Sequence, residues 1–399
     1  MRFISIIFAY NHNFTQNSSP VRFAFLIFKV FPFGGVQRDM LRIAQDCVKN
    51  GHQVTIYTGE WRGDKPVPEM QVKILASHGW QNHQKHQALI TAMHTELRHD
   101  NPDFIMGFNR MPALDAYFVA DPCFIERAWH RGWWHKLSGR YQFFKAMENA
   151  VFAHEVNCQL LILNPNDIAL YQKWYNTPIS RFHSLPPNIP ADRFFNTNRE
   201  VARARLRQMF DLPADAYVIL MVGSAFVRKG LDRVIKSLAN LPHVLQTNTW
   251  LLAVGEDKPD AMRKLAKDYG VSRQVIIENG RNDIPLLMNG ADLLAHLART
   301  ELAGLVIIEA LTAGLPVLVT EVCGYAMHVE KAEAGIVLST PFNQQACDTA
   351  LATMLTTNRK VLWQSNAERY TQSIAASKSS TPEADLIAKF ALHKMQHAA

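Results

Sequence analysis

Along the first half of the chain, short apolar runs alternate with segments whose apolar residues recur at helical spacing. A β-branched and aromatic run, Val21–Phe28, reads as a strand. The turn FPFGGVQ follows, then an amphipathic helix over 39–49 stopped by Asn50-Gly51, then a second strand, QVTIYT. Further strands are expected at 72–75, 103–108 and 159–164, with helices between them. A second unit of the same kind begins at Tyr217: YVILMVGS is the strand, AFVRKG the loop, 231–240 the helix and TWLLAVG the next strand. VIIENG, DLLAHLA and PVLVTE continue the alternation. Strands alternating with helices predict an α/β protein with parallel sheets covered on both faces. The segment SLPPNIPADRFF (184–195) carries three prolines and separates the two units, which places a domain boundary near residue 195. The expected division is 21–194 and 195–399, with the final helix free to pack back on the first domain.

Composition narrows this picture. A chain of 399 residues suits two domains, because single cores rarely grow beyond about 250–300 residues. Apolar residues make up 48% and charged residues 19%, the balance of a globular protein. No apolar run approaches the roughly 18 residues of a membrane-spanning helix. Residues 1–20 have one basic residue before a short apolar stretch and no A-x-A cleavage site, so they read as a disordered extension rather than a signal peptide. The five cysteines are scattered without a CxxC pair, which predicts reduced, buried thiols. The net charge of +7 is divided as 19 Lys and Arg against 15 Asp and Glu over 21–194, and 22 against 20 over 195–399. That is too little for a nucleic-acid partner but compatible with an anionic surface or a phosphorylated substrate.

Two facing doubly wound domains bind ligands at the carboxyl ends of their strands. Gly34-Gly35, after the first strand, offers bare backbone to a phosphate; the G-x-G-x-x-G of a nicotinamide enzyme is missing there. Arg228-Lys229-Gly230 occupies the corresponding loop of the second unit, where two cations suit a diphosphate. In RTELAGLVIIEALTAGLPVLVTEVCG (299–324), Glu301 and Glu309 stand eight residues apart around an uncharged segment. Ala303-Gly304 reads as the start of a buried helix ended by Gly314 and Pro316. The free N–H groups at that start form a phosphate site. Glu301 then lies before the helix, beside a sugar's hydroxyls. Glu309 lies about 7.5 Å along the axis, beside a second polyol such as a ribose. One ligand accounts for both carboxylates: a nucleotide sugar with its phosphates over the helix start.

E-x7-E followed by A-L-x-A-G-x-P-V resembles the signature of the retaining family 4 glycosyltransferases, whose GT-B fold has two facing Rossmann-like domains and an interdomain cleft. The resemblance extends over nearly all of residues 21–380. FPFGGVQRDMLRIA, GFNRMPALDAYFVAD, LPPNIPADR, VGSAFVRKG and GRNDI are especially similar to the lipopolysaccharide core glucosyltransferases of that family. These add glucose from UDP-glucose to an inner-core heptose. The resemblance implies Gly34, Gly35 and Asp39 near the donor's diphosphate and sugar, with Arg193, Arg228 and Lys229 on the phosphates. It implies Glu301 on the glucose hydroxyls, Glu309 on the ribose, Arg281 and Ile284 by the uracil, and the amides of Ala303, Gly304 and Leu305 over the diphosphate. Asp121 matches the acidic residue near sugar and acceptor, and Asp121, Glu301 and Lys229 are the expected catalytic set. Asn188 and Val227 stand where relatives often carry glycine and a small residue, which leaves the exact sugar open.

No D-x-D pair occurs, so no metal cofactor is expected: cations and a helix dipole would stabilise the leaving UDP. The expected mechanism is front-face displacement with retention. A two-lobed sugar- or nucleotide-binding protein is the alternative of a different class, but periplasmic examples would call for an export signal. Finally, residues 124–152 hold five Lys and Arg against two Glu, with Trp129, Trp133, Trp134, Phe143 and Phe144. Basic residues mixed with Trp suit an anionic leaflet, with Arg131, Trp133, Trp134 and Lys136 as contacts. The competing reading is a helix burying Tyr141, Phe144 and Glu148 on one stripe. The expected location is the cytoplasmic face of the inner membrane. His78, His83 and His86 lack metal-site spacing and are expected in a solvated loop.

Overall fold

The computed structural model describes residues 20–399 apart from Phe33, 64–68, 130–132, 188–197, 377–381 and 399. The extension (1–20, of which only residue 20 is described), Arg131, Asn188 and Arg193 of the sequence reading therefore lie outside it.

The first half runs β1 (Arg22–Leu26), α1 (Gly35–Lys49), β2 (Gln53–Thr58), β3 (Met70–Ile74), α2 (Asn82–Asp100), β4 (Phe104–Gly107) and β5 (Ala116–Val119). It continues through α3 (Phe124–Trp129), α4 (Gly139–Phe152), β6 (Gln159–Ile162), α5 (Ile168–Tyr175) and β7 (Phe182–Ser184). These seven strands form one sheet in the order β3-β2-β1-β4-β5-β6-β7, and every pairing is parallel.

The second half runs α6 (Arg199–Met209), β8 (Tyr217–Val222), α7 (Phe226–Lys229), α8 (Leu231–Ala239), α9 (His243–Thr247), β9 (Thr249–Val254), α10 (Asp260–Asp268) and β10 (Val275–Glu278). Then come α11 (Ile284–Gly290), β11 (Leu293–His296), α12 (Leu305–Thr312), β12 (Val317–Thr320), α13 (Ala326–Ala332) and β13 (Gly335–Leu338). Helices α14 (Gln344–Thr356), α15 (Lys360–Ala376) and α16 (Pro382–Ala398) close the chain. Its six strands are parallel in the order β10-β9-β8-β11-β12-β13.

Near-continuous apolar strands follow from burial on both faces. In β1, Phe23 and Phe25 enter one core while Ala24 and Leu26 enter the other. In β8, Val218 and Leu220 face one core, and Ile219 and Met221 the other. That is the two-residue alternation of a strand with helices above and below it. All five cysteines are free and buried.

Helix α16 belongs to the first sheet's layers although it closes the chain. Ala384, Ile387 and Ala391 share a core with Phe23 and Phe25. Arg42 of α1 clasps Glu383 through two bonds of 3.2 and 2.7 Å, and Lys394 reaches Asp115 at 2.7 Å.

Three details differ from the sequence expectations. Helix α1 begins at Gly35 rather than at 39, so the glycine pair is the helix start itself. AFVRKG is not an open loop: Phe226 is buried, its N–H donates to Asp257 at 2.7 Å, and residues 226–229 close one helical turn. His83 and His86 lie on α2, and His86 stacks on Phe28 with ring centroids 4.3 Å apart, half-buried on a helix rather than in a solvated loop.

Candidate active site

In each sheet the strand order reverses beside the first strand, between β1 and β4 and between β8 and β11. Such switch points leave a crevice at the strands' carboxyl ends. Here the loops and helix starts from both sheets enclose one cleft of about 760 Å³. Its walls include thirteen of the residues singled out from sequence: Gly34, Gly35, Asp39, Asp121, Arg228, Lys229, Arg281, Ile284, Glu301, Ala303, Gly304, Leu305 and Glu309.

The wall from the second sheet is built around the start of α12. Gly304 has φ 87° and ψ 61°, the left-handed region, and a Cβ on it would stand 2.9 Å from the Ile307 side chain. Only glycine turns the chain into the helix there without a clash. The first amides of α12 consequently open on the cleft, with the positive end of the helix dipole behind them. Gly230, at φ 82°, lets the turn after Lys229 pass the carbonyl of Leu297, which a Cβ would meet at 2.0 Å. That close approach sets the Arg228-Lys229 pair against the end of β11.

Glu301 gathers the charges of this wall. Lys229 Nζ bonds to its carboxylate, Arg228 Nη1 donates to Oε2 at 3.1 Å, and His296 Nε2 lies 3.8 Å from the same oxygen. Burial works to raise the Glu301 carboxyl, but His296 and Lys229 outweigh it and hold the group far below the usual carboxylate range. Burial pushes fully enclosed His296 the other way, down from its usual value. The carboxylate is thus held in its ionised form and fixed by two cations.

Glu309, on the buried side of α12, forms an ion pair of 2.9 Å with Arg38 of α1. The bond crosses from one half of the chain to the other. Asp39, the next residue, is itself buried; desolvation raises its carboxyl to about 6 against the pull of Arg42 and Arg38. Arg281 is held by Asp283 through bonds of 2.8 and 2.7 Å and lies over Phe210, 5.4 Å from the ring centre. Ile284 follows at the start of α11.

Sequence reasoning missed several wall residues, among them Lys29, Arg38, His86, Asn109 and Arg127. Asn109 Oδ1 accepts the Phe28 N–H at 2.7 Å and ties the ends of β1 and β4 together. Asn109 and Arg38 lie in motifs quoted above, so their positions were available; Lys29, His86 and Arg127 carry no pattern of their own. Among the described residues no group of three or more His, Cys, Asp or Glu is placed to hold a metal ion.

The aromatic segment beyond α3 divides in two. Trp133 and Trp134 stack at 3.5 Å and are 59% and 69% exposed, beside exposed Leu137. Lys136 Nζ sits 4.1 Å from the centre of the half-exposed Trp129 ring. On α4, by contrast, Tyr141, Phe143 and Glu148 are buried and Phe144 is partly so. The buried reading therefore holds for α4, and Phe143 leaves the exposed aromatics. Among the described residues no helix is long and apolar enough to cross a membrane.

Comparison with known proteins gives consistent results. The family described as glycosyl transferases group 1 matches residues 202–372. The lipopolysaccharide glucosyltransferase WaaG of Escherichia coli K12 is 41% identical over 350 residues, 87% of this chain and 93% of that protein. A crystal structure of WaaG, described as a glycosyltransferase involved in lipopolysaccharide biosynthesis, superposes with a TM-score of 0.87 at 38% identity, covering 92% of this chain and 98% of that one. Anabaena HepE in complex with UDP and glucose has a TM-score of 0.70 at 17% identity, covering 92% and 98%, a likeness of fold alone.

Proposed function

The chain belongs to the glycosyl transferases group 1 family and has the GT-B fold, and from that premise we propose that it moves glucose from UDP-glucose to a heptose of the lipopolysaccharide inner core, with retention. The observation that carries this reading is the placing of Glu301 and Glu309 on either side of the α12 start, on the wall of a cleft shared by both sheets. The similarity to WaaG, a lipopolysaccharide glucosyltransferase, supports the lipopolysaccharide acceptor. A two-lobed binding protein fits the cleft but not the family.

In this proposal the division falls near residue 195, with an acceptor-side domain before it and a donor-side domain after it. The diphosphate lies over the amides of Ala303, Gly304 and Leu305, near Gly34 and Gly35. Arg228, Lys229 and Arg193 neutralise the charge that grows on the leaving UDP, a task the helix dipole shares and for which no metal is required. Glu301 orients the glucose hydroxyls, Glu309 faces the ribose, Asp39 lies near the diphosphate and sugar, and Arg281 and Ile284 flank the uracil. Asp121 lies at the sugar and acceptor. The leaving phosphate accepts the proton of the attacking hydroxyl on the same face, so that configuration is kept. The stacked tryptophans with Lys136 and Arg131 dock the enzyme on the anionic cytoplasmic face of the inner membrane, where a lipid-anchored acceptor is found.

The test is mass and linkage analysis of core oligosaccharide from a strain lacking this protein, with and without the gene restored. Loss of one α-linked glucose on heptose is the expected result. A missing galactose or N-acetylglucosamine would reassign the donor, and an unchanged core would remove the proposal.

A further inference from the structure

Behind Asp121 lies a buried ion pair that the reaction scheme does not use. Arg110, in the loop after β4, meets Glu148 of α4 at 2.8 Å, with the carboxylate fully enclosed. Both ends of the pair turn to the same short stretch of backbone. Arg110 Nη2 donates to the carbonyls of Asp121 and Pro122, each at 2.7 Å. Tyr171 Oη adds a second donor to the Asp121 carbonyl at 3.2 Å. Glu148 accepts the N–H groups of Phe124 at 2.7 Å and Ile125 at 2.9 Å, the first two amides of α3, and the Tyr175 hydroxyl at 2.7 Å. Carbonyls 121 and 122 and amides 124 and 125 are thereby held by two side chains bonded to each other. The side chain of Asp121 takes part in none of these contacts and stands exposed on the cleft wall.

A buried ion pair is weak evidence of stabilisation, since an apolar pair of similar volume often serves a core as well. What this pair does that an apolar one cannot is fix four backbone groups in one geometry. We infer that Arg110 and Glu148 are positioning residues of the transfer reaction, a brace that sets the Asp121 carboxylate against the acceptor hydroxyl and the donor sugar. The inference rests on the proposed role of Asp121. The required chemistry is a planar guanidinium, which can hold a carboxylate on one side and two carbonyls on the other; a lysine ammonium keeps the charge without the fork. Misplacing a reacting group by about 1 Å costs on the order of a hundredfold in rate, so a small slackening of residues 121–125 is visible in turnover.

The experiment compares Arg110→Lys, Asp121→Asn and the combination of the two in the full chain, with UDP-glucose and a core acceptor lacking the hexose. Arg110→Lys is expected to lower kcat about tenfold or more, while donor KM and UDP affinity stay within about twofold, because the donor wall comes from the other sheet. In the Asp121→Asn background the same change is expected to cost less than about twofold, because two changes acting through one group do not add. Tyr171→Phe, which removes one neutral hydrogen bond to the same carbonyl, is expected to lower kcat about threefold. A folded Arg110→Lys enzyme with wild-type kcat, or one whose tenfold loss persists without the Asp121 carboxylate, overturns the brace. Where Arg110→Lys fails to fold, Arg110→Met with Glu148→Gln leaves no lone buried charge and is held to the same expectations. Full turnover in Asp121→Asn alone would instead remove the role of Asp121, and the brace with it.

Discussion

Arg38 Nη2 and Glu309 Oε1 are 2.9 Å apart, joining the first turn of α1 to the inner face of α12 across the cleft. Glu309 is also the carboxylate proposed to hold the ribose. Arginine and ribose therefore compete for it, and the ion pair is a resistance that UDP must overcome. A half-exposed pair of this kind is worth about 0.5–1 kcal/mol. Arg38→Gln is expected to tighten UDP binding about two- to fivefold. Glu309→Ala is expected to weaken it about tenfold. Titration calorimetry with UDP reads both, and unchanged affinity in Glu309→Ala would move the ribose elsewhere.

In the proposed scheme, loss of Glu301 separates binding from turnover. Its carboxylate already engages Lys229 and Arg228, so removing it frees both cations for the diphosphate. Glu301→Ala should lower kcat by about 10²–10³, the range for a lost transition-state contact, with UDP affinity retained within about threefold. Transfer should also continue in excess EDTA. A complete loss there, restored by Mn²⁺, would place the charge stabilisation on a metal.

Asp39 makes stability depend on pH in an unusual direction. Its carboxyl rises from 3.8 to about 6 through desolvation. The folded protein thus binds the proton more tightly than the unfolded chain does, and that contribution is complete below about pH 4 and lost as pH rises through 6. At 1.36 kcal/mol per pKa unit the difference is about 3 kcal/mol. Asp39→Asn should therefore be more stable than wild type in urea at pH 8 and no more stable at pH 4. An equal effect at both pH values would show that the asparagine changes packing rather than charge.

Replacing Trp133, Trp134 and Lys136 with Ser, Ser and Gln should weaken binding to anionic vesicles while leaving the melting temperature nearly unchanged, since all three are outside the core. The lysine alone is worth about 1 kcal/mol near such a surface, about a fivefold change before the rings are counted. Wild-type binding should also decline with salt, because the attraction is screened over about 8 Å at physiological ionic strength. Vesicle binding equal to wild type would place the membrane contact on another face.

How much of this was legible in the sequence depended on the range of the forces involved. Strands buried on both faces, such as Arg22–Leu26 and Tyr217–Val222, announce themselves as apolar runs. Gly304 and the two glutamates stand out because a glycine and carboxylates interrupt an apolar segment, and all three do line the cleft. The three-residue strand Phe182–Ser184 was missed because its neighbour β6 supplies its order, not its own short pattern. Arg38 and His86 were missed for a related reason: each is one polar residue on an amphipathic helix. What makes Arg38 matter is a glutamate 271 positions away. The Arg110–Glu148 pair likewise depends on two loops and a helix brought together by the sheet.

The placing of α16 has a consequence in time. Phe23 and Phe25 leave the ribosome among the earliest residues of the first sheet, yet part of the core around them is filled by Ala384, Ile387 and Ala391. At about 5–20 residues per second, this face waits some tens of seconds for its cover. Until then α1 presents an apolar flank, and Arg42 lacks the Glu383 carboxylate it clasps in the finished fold. A chain truncated after residue 381 is therefore expected to expose this apolar face, which increased binding of a hydrophobic dye would read.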